Sequence, residues 1–134
     1  MAPQVQSGSV LVLDADPNIL IFIGRLLEQH GMRTLFARNA NEAIVICART
    51  YVPIDLILAN VTLPELSGPE TVNRVRELRP ELPALYMSAR IDDGMIRIDV
   101  MQRDSGVQDD SGSKTLFETI CEAIVSPRTF TAGH

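Results

Sequence analysis

Residues 55–60 of this chain are Asp-Leu-Ile-Leu-Ala-Asn, and residues 61–68 are Val-Thr-Leu-Pro-Glu-Leu-Ser-Gly. The first segment is short and apolar up to Asn60, which predicts a strand that is buried on both faces of a sheet. In the second segment, Ser67 and the later Glu70 stand at capping-box spacing with Pro69 between them, which predicts the start of a helix. A buried strand that passes through a short loop into a helix is typical of a βαβ unit.

The same alternation of strand and helix extends to both sides of this segment. A short apolar run at 10–13 predicts the first strand, and Asp16 and Pro17 after it predict the cap and first turn of a helix. Further strands are predicted at about 33–37 and 83–88, and further helices after Asn39 and Thr115. Strands separated by helices of this length predict an α/β fold with a central parallel sheet.

The stretch from 89 to 113 gives a mixed signal. Residues 96–100 alternate between apolar and charged side chains, as a strand would, but too few residues precede them for a helical crossover to a parallel strand. We therefore predict a helix at 92–103. The polar, turn-rich residues 104–113 are a poor fifth strand and are more typical of a loop.

Composition indicates one soluble domain. The chain has 134 residues, of which 46% are hydrophobic and 22% charged, and no apolar run approaches the length of a membrane span. We expect the domain to cover residues 10–126, with disordered tails at 1–9 and 127–134. The start has no secretory pattern, and Cys47 and Cys121 are too far apart in sequence for a metal or redox motif, so a cytoplasmic protein with free thiols is expected. The net charge of −5 argues against nucleic-acid binding.

Polar residues follow the predicted strands in a defined order. An acidic turn, Asp14-Ala15-Asp16, follows the first strand, Asn60 ends the third, Ser88-Ala89 end the fourth, and Lys114 precedes the last helix. This ordered set, from about residue 10 to 125, resembles the receiver domains of response regulators, the CheY-like family. The resemblance implies a doubly wound sheet of about five strands with helices on both faces, and a site at the carboxyl ends of the strands.

The position of Asn60 is the main departure from that family. The family has an aspartate there, which takes a phosphoryl group from a histidine kinase. An amide is a poor nucleophile and brings no charge to a divalent cation. Ala15 also stands where the family has a carboxylate that binds Mg²⁺ directly. Asp14 and Asp16 remain as weak candidate ligands, so we predict no tightly bound metal and no cofactor.

The residues that read out phosphorylation in the family are only partly present. Ser88 matches the hydroxyl residue that contacts the phosphoryl group, and Lys114 matches the lysine that pairs with its oxygens. Thr115 stands where the family usually has a cis proline, so a cis bond is not expected. Lys114 is then free to hydrogen-bond Asn60 or to pair with Asp14.

Two apolar residues lie off the apolar stripe predicted for the first helix, at Ile19, Phe22, Ile23, Leu26 and Leu27. These two, Leu20 and Ile21, predict a surface for a dimer partner or a kinase.

The function predicted from this pattern is that of an atypical receiver, a pseudo-receiver, in two-component phosphorelay signalling. It would act through contacts with a sensor histidine kinase or another signalling protein, and not as an enzyme. Two alternatives stay open: a working receiver with a nonstandard phosphoacceptor, and a small-molecule-binding or structural module on the same fold.

Overall fold

The computed structural model of the chain describes residues 8–101 and 116–125. Five strands form one sheet in the order β2-β1-β3-β4-β5. The elements along the chain are β1 (Ser9–Leu13), α1 (Pro17–Glu28), β2 (Arg33–Ala37), α2 (Ala40–Ala48), β3 (Leu56–Asn60), α3 (Gly68–Arg76), β4 (Ala84–Asp92), β5 (Met95–Met101) and α4 (Leu116–Val125).

The first four strands are parallel, as the alternation of strands and helices predicts. Strand β1 lies between β2 and β3, so the chain order reverses at β1 and the sheet is doubly wound. Val12 pairs with Phe36 on one side and with Leu58 on the other. Because the strands run in the same direction, the residues that follow β1, β3 and the parallel part of β4 meet at one edge of the sheet.

The core consists of two apolar layers, one on each face of the sheet. The strand residues Val12, Leu58 and Leu85 pack with residues of α1 and α4 on one face. Leu11 and Ile57 lie on the other face and pack with residues of α2 and α3. Burial of each large aliphatic side chain stabilises the fold by about 1.5–3 kcal/mol, so both layers are needed to hold the strand ends in place.

The predicted helix starts agree with the observed caps. Asp16 caps α1 by accepting a hydrogen bond from the Asn18 N–H at 2.9 Å. Asn39 caps α2 in the same way, and Ser67 and Glu70 form the reciprocal capping box of α3. Each cap satisfies backbone donors that the first turn of a helix leaves unpaired.

The buried face of α1 differs from the predicted stripe. Leu20, predicted to lie off that stripe, is only 4% exposed and belongs to the core, whereas Phe22, predicted to be buried, is 41% exposed. The reason is Gly24, which carries no hydrophobic side chain and so adds nothing to the sequence pattern. A Cβ at Gly24 would come within 2.6 Å of the Phe36 ring, so Phe36 covers the helix there and the buried face runs through positions 20, 24 and 27.

The predicted helix at 92–103 is wrong. Strands β4 and β5 form an antiparallel hairpin, in which Ile96 pairs with Ile91 and Val100 with Met87. The prediction assumed that a fifth strand had to be parallel and needed a long crossover. An antiparallel strand needs only a two-residue turn, supplied here by Asp93 and Gly94 with φ angles of 50° and 77°.

The predicted tails lie largely outside the residues that the structure describes. Ser9, predicted to belong to a disordered tail at 1–9, begins β1. Residues 1–7 and the tail predicted at 127–134 lie outside the described residues. Cys47 is buried and Cys121 is partly buried; both are free thiols, and burial raises the pKa of each. Among the described residues, no helix is long and apolar enough to cross a membrane.

Candidate functional site

The carboxyl ends of β1 and β3 bring Asp14 and Asn60 together. The Asn60 amide, through Nδ2, donates a hydrogen bond of 2.8 Å to Oδ2 of Asp14. Asp14 is 3% exposed and Asn60 is 8% exposed, so the bond is largely shielded from water. A hydrogen bond to a charged acceptor contributes about 1.5–3 kcal/mol, and leaving one of its buried partners unsatisfied costs a similar amount.

The remaining polar atoms of the pair are also hydrogen-bonded. Asn60 Oδ1 accepts from the backbone N–H of Thr62 at 2.9 Å, and Asp14 Oδ1 accepts from the backbone N–H of Asp16 at 2.8 Å. These two bonds fix the orientation of the amide, because Oδ1 must face a donor and Nδ2 must face the carboxylate. The amide therefore closes a complete network at the position where the resemblance places a phosphoacceptor.

The loop after β3 is held tightly over Asn60. The Val61 N–H donates to the Met87 carbonyl oxygen at 2.8 Å, and the Gly68 N–H donates to the Val61 carbonyl oxygen at 2.9 Å. A Cβ at Gly68 would clash with the backbone oxygen of Asn60, so only glycine allows α3 to begin so close to the strand end. The sequence marks this glycine only as a helix start, and its contact with Asn60 was not predicted.

The carboxylates of the acidic turn are largely engaged in hydrogen bonds. Both carboxylate oxygens of Asp14 already accept hydrogen bonds, and Asp16 Oδ1 is used in capping α1. Ala15 is exposed and has no ligand atom in its side chain. Within residues 8–101 and 116–125, no group of three acidic, histidine or cysteine side chains is arranged to hold a metal. Of the four carboxylate oxygens of Asp14 and Asp16, three accept hydrogen bonds, whereas magnesium usually binds one or two carboxylates.

Ser88 lies next to the Asn60 network but does not take part in it. Asn60 is in register with Met87, and Ser88 is the following residue of β4. Successive side chains of a strand point to opposite faces, so Ser88 points away from the face of Met87 and is in register with Asp99 of β5. Lys114 and Thr115, the other two predicted readout residues, lie outside the described residues.

A feature beside the site was not predicted from the sequence. Strand β3 ends opposite Met87, but β4 continues to Asp92 paired only with β5. We call residues 88–99 the β-arm. The four residues of β4 beyond Ser88 extend roughly 13 Å past the carboxyl ends of the parallel strands, at about 3.3 Å per residue.

The β-arm has one apolar and one charged face. On the charged face, Asp92 contacts the guanidinium groups of Arg90 at 2.8 Å and of Arg97 at 3.6 Å. Asp92 thus lies between two arginines that face each other across the hairpin. The Asp93-Gly94 turn and the period-two alternation were the sequence signals that could have identified the arm.

Comparison with known proteins identifies a family. Residues 10–109 match the family model described as the response regulator receiver domain. One relative is an uncharacterised 14.6 kDa protein from Leptolyngbya boryana. It is 35% identical over 82 residues, which are 60% of this chain and 61% of that protein. The autoinducer 1 sensor kinase/phosphatase LuxN of Vibrio campbellii is 32% identical over 66% of this chain and 11% of its own length. The chain thus spans less than two thirds of either relative.

Two solved structures are similar to this chain in fold. The receiver domain of the hybrid histidine kinase CckA is 25% identical, with a TM-score of 0.55 over 59% of this chain and 73% of that one. The anti-anti-sigma factor PhyR from Bartonella quintana is 27% identical, with a TM-score of 0.53 over 60% of this chain and 32% of that one. Both similarities cover well under the whole of this chain.

Proposed function

Because this chain belongs to the family of response regulator receiver domains, we propose that it is a pseudo-receiver. In this role it takes part in two-component signalling through contacts with other proteins. It does so without phosphorylation of an aspartate at the end of β3.

The hydrogen bond from Asn60 to Asp14 is the observation that carries this proposal. A phosphoacceptor must offer a carboxylate oxygen that is free to attack phosphorus, whereas Asn60 presents an amide whose oxygen and nitrogen are both hydrogen-bonded. Attack by the amide oxygen would break its bond to Thr62 and would place a positive charge on a buried group. The network therefore favours a site that keeps a single state.

The acidic turn supports the same conclusion independently. Phosphoryl transfer depends on a cation that neutralises the charge developing on the phosphoryl oxygens. Asp14 and Asp16 are engaged in hydrogen bonds, and Ala15 adds no carboxylate. With three of the four carboxylate oxygens of the turn already hydrogen-bonded, the site offers little charge compensation for a phosphoryl group.

The partners follow from the family and are part of the proposal. Relatives of this chain are named as sensor kinases and as transcriptional regulatory proteins, for example TcrX of Mycobacterium tuberculosis. We infer that the partner is a sensor histidine kinase or another two-component protein and that the two bind each other in the cytoplasm. We also infer that the chain itself has no catalytic activity. A fold can keep its docking surfaces after its chemistry has been lost.

The intact mass of the chain after incubation with Mg²⁺ and acetyl phosphate tests the proposal. The wild-type chain should gain no phosphoryl adduct. The variant Ala15→Asp with Asn60→Asp should gain one, because it restores two carboxylates beside Asp14 on a scaffold that already has the receiver fold. A conventional receiver incubated in parallel verifies that the phosphodonor is active.

A phosphoryl adduct on the wild-type chain would contradict the proposal. Peptide mapping of that adduct would then identify the acceptor and favour the alternative of a working receiver with a nonstandard residue. The single variant Asn60→Asp is a useful intermediate, since it supplies the nucleophile but not the metal ligand, and we expect it to be phosphorylated more slowly than the double variant.

A further inference from the structure

Strand β5 is the last strand of the sheet in the part of the chain that the structure describes. Its inner edge pairs with β4 from Met95 to Met101, and no described strand pairs with its outer edge. Within the described residues, this outer edge presents backbone N–H and C=O groups along a seven-residue strand that contains no proline. Such an edge is a template for pairing with another strand.

The side chains of β5 give the strand one apolar face and one charged face. Ile96, Ile98 and Val100 lie on one face, and Ile96 and Ile98 pack against the apolar layer that contains α1 and α4. Arg97 and Asp99 lie on the opposite face and are exposed. A strand that added to this edge would have to match an apolar row on one face and an Arg–Asp pair on the other.

The charges on β5 are only partly balanced by neighbouring residues of the same chain. Arg97 is in register with Arg90, and Asp99 is in register with the uncharged Ser88. Asp92 contacts Arg97, at 3.6 Å, while the Arg97 side chain remains 58% exposed. Each β5 thus presents one cation and one anion, two residues apart, toward a potential neighbour.

We propose that β5 pairs antiparallel with β5 of a second copy of this chain, about a twofold axis that passes through Ile98. Ile98 is the middle residue of Met95–Met101, so this register pairs all seven residues of each strand. Arg97 then lies opposite Asp99 of the partner subunit, and Asp99 lies opposite the partner's Arg97. The result is one continuous sheet across two chains.

Other registers are less favourable for physical reasons. A twofold axis at position 97 places two arginines opposite each other, and one at position 99 places two aspartates opposite each other, which is destabilising in a cross-strand pair. A slip by one residue turns the apolar face of one strand to the charged face of the other. The Ile98-centred register is the one that gives full length, matched faces and opposite charges together.

Charge reversal on β5 tests the proposal, with sedimentation equilibrium of the full chain as the measurement. Wild-type protein should dimerise. Arg97→Asp and Asp99→Arg should each weaken the dimer about tenfold or more, because two opposite-charge pairs become two like-charge pairs. The double variant, Arg97→Asp with Asp99→Arg, restores opposite charges and should dimerise like the wild type.

Mixing the two single variants provides the sharpest outcome. The Arg97→Asp variant has aspartate at both positions 97 and 99, and the Asp99→Arg variant has arginine at both. An equimolar mixture should therefore form a heterodimer, although neither variant dimerises well alone. Arg74→Asp, on an exposed position of α3, makes the same charge change away from β5 and should leave the dimer intact. Circular dichroism verifies that each variant is folded.

The proposal is overturned if the wild-type chain is monomeric at every concentration. It is also overturned if the single variants dimerise as well as the wild type, or if their mixture gives no heterodimer, since the dimer would then use another surface. None of these results depends on Asn60 or on phosphorylation, so this proposal and the pseudo-receiver role stand or fall separately.

Discussion

At the scale of single residues, the Asn60 amide determines how the polar groups at the end of β3 are hydrogen-bonded. An aspartate in place of Asn60 would bring two carboxylates to hydrogen-bond distance, and one of them would need a cation or a proton. The amide removes that need, because its N–H faces Asp14 and its oxygen faces Thr62. Asn60 thus supplies Asp14 with a neutral hydrogen-bond donor from within the chain.

An exchange of the two side chains should measure this bond. We expect Asn60→Asp to lower the free energy of unfolding at pH 7 by about 2–3 kcal/mol, because it places two acceptors face to face. Asp14→Asn should also be destabilising. The double variant, Asp14→Asn with Asn60→Asp, restores one amide and one carboxylate and should recover most of the loss.

Urea unfolding of the four proteins gives the coupling energy directly. We expect the summed losses of unfolding free energy in the two single variants to exceed the loss in the double variant by at least about 1.5 kcal/mol. This value lies within the range of about 0.5–3 kcal/mol for contacting groups in one network. Costs that simply add, within about 0.5 kcal/mol, would contradict the network.

Only part of this site could be predicted from the sequence. Asp14 and Asn60 both follow buried strands, so their meeting at one sheet edge was predictable from the topology. Their direct bond was not predicted, since Lys114 was considered as a possible partner of either residue, and Lys114 lies outside the described residues. The contact of Gly68 with the Asn60 backbone depends on the path of the loop, which no periodicity encodes.

At the scale of elements, the local sequence signals of the β4–β5 hairpin conflict with the expectation that every strand of the sheet is parallel. The alternation of Ile96, Ile98 and Val100 correctly indicates a strand, and Asp93-Gly94 is one of the strongest short hairpin signals. The helix predicted at 92–103 set the alternation aside on the assumption that a fifth strand is parallel, and it left the Asp93-Gly94 turn out of account. A sheet can accept an antiparallel edge strand on an otherwise parallel arrangement, and this one does.

The turn of the β-arm should be sensitive to its glycine. Gly94 has a φ of 77°, and a Cβ there would meet nothing within 4 Å, so the cost of Gly94→Ala is conformational and not steric. We expect a loss of about 1–2 kcal/mol, concentrated in the hairpin. Hydrogen exchange of the β5 amides is the measurement, since they should lose protection while the amides of β1 and β3 keep theirs.

Asp93→Asn is the matched control for this turn. Asp93 has a φ of 50°, and asparagine tolerates that conformation at least as well as aspartate. The variant should retain the protection of β5. Equal protection in Gly94→Ala and the wild type would mean that the turn does not limit the stability of the arm.

At the scale of the whole molecule, the layered architecture was predictable and the outer surfaces were only partly so. Buried runs such as residues 10–13 and 56–59 identify central strands because parallel strands are covered on both faces. The surface of α1 was harder, because the position of Gly24 under Phe36 rotates the buried face. Leu20 is therefore core, and Ile21, which is 51% exposed, is what remains of the predicted interface.

Ile21 should contribute to binding of a histidine kinase partner if α1 is the docking surface. We expect Ile21→Lys to weaken binding about fivefold, as the loss of roughly 1 kcal/mol of apolar contact implies. Val45→Lys, at an exposed apolar position of α2, is the matched control and should bind normally. Titration calorimetry with the kinase measures both variants, and equal affinities would remove α1 from consideration.

The two-residue turn between β4 and β5 also bears on how the sheet assembles. Pairing of β1 with β3 brings together segments that are separated by a helix, another strand and a second helix, so it requires a large loop to close. The hairpin closes a minimal loop, and isolated hairpins form within microseconds. During folding, we therefore expect the β4–β5 pair to form early. The β1–β3 pair, and the Asn60 network that depends on it, should form last.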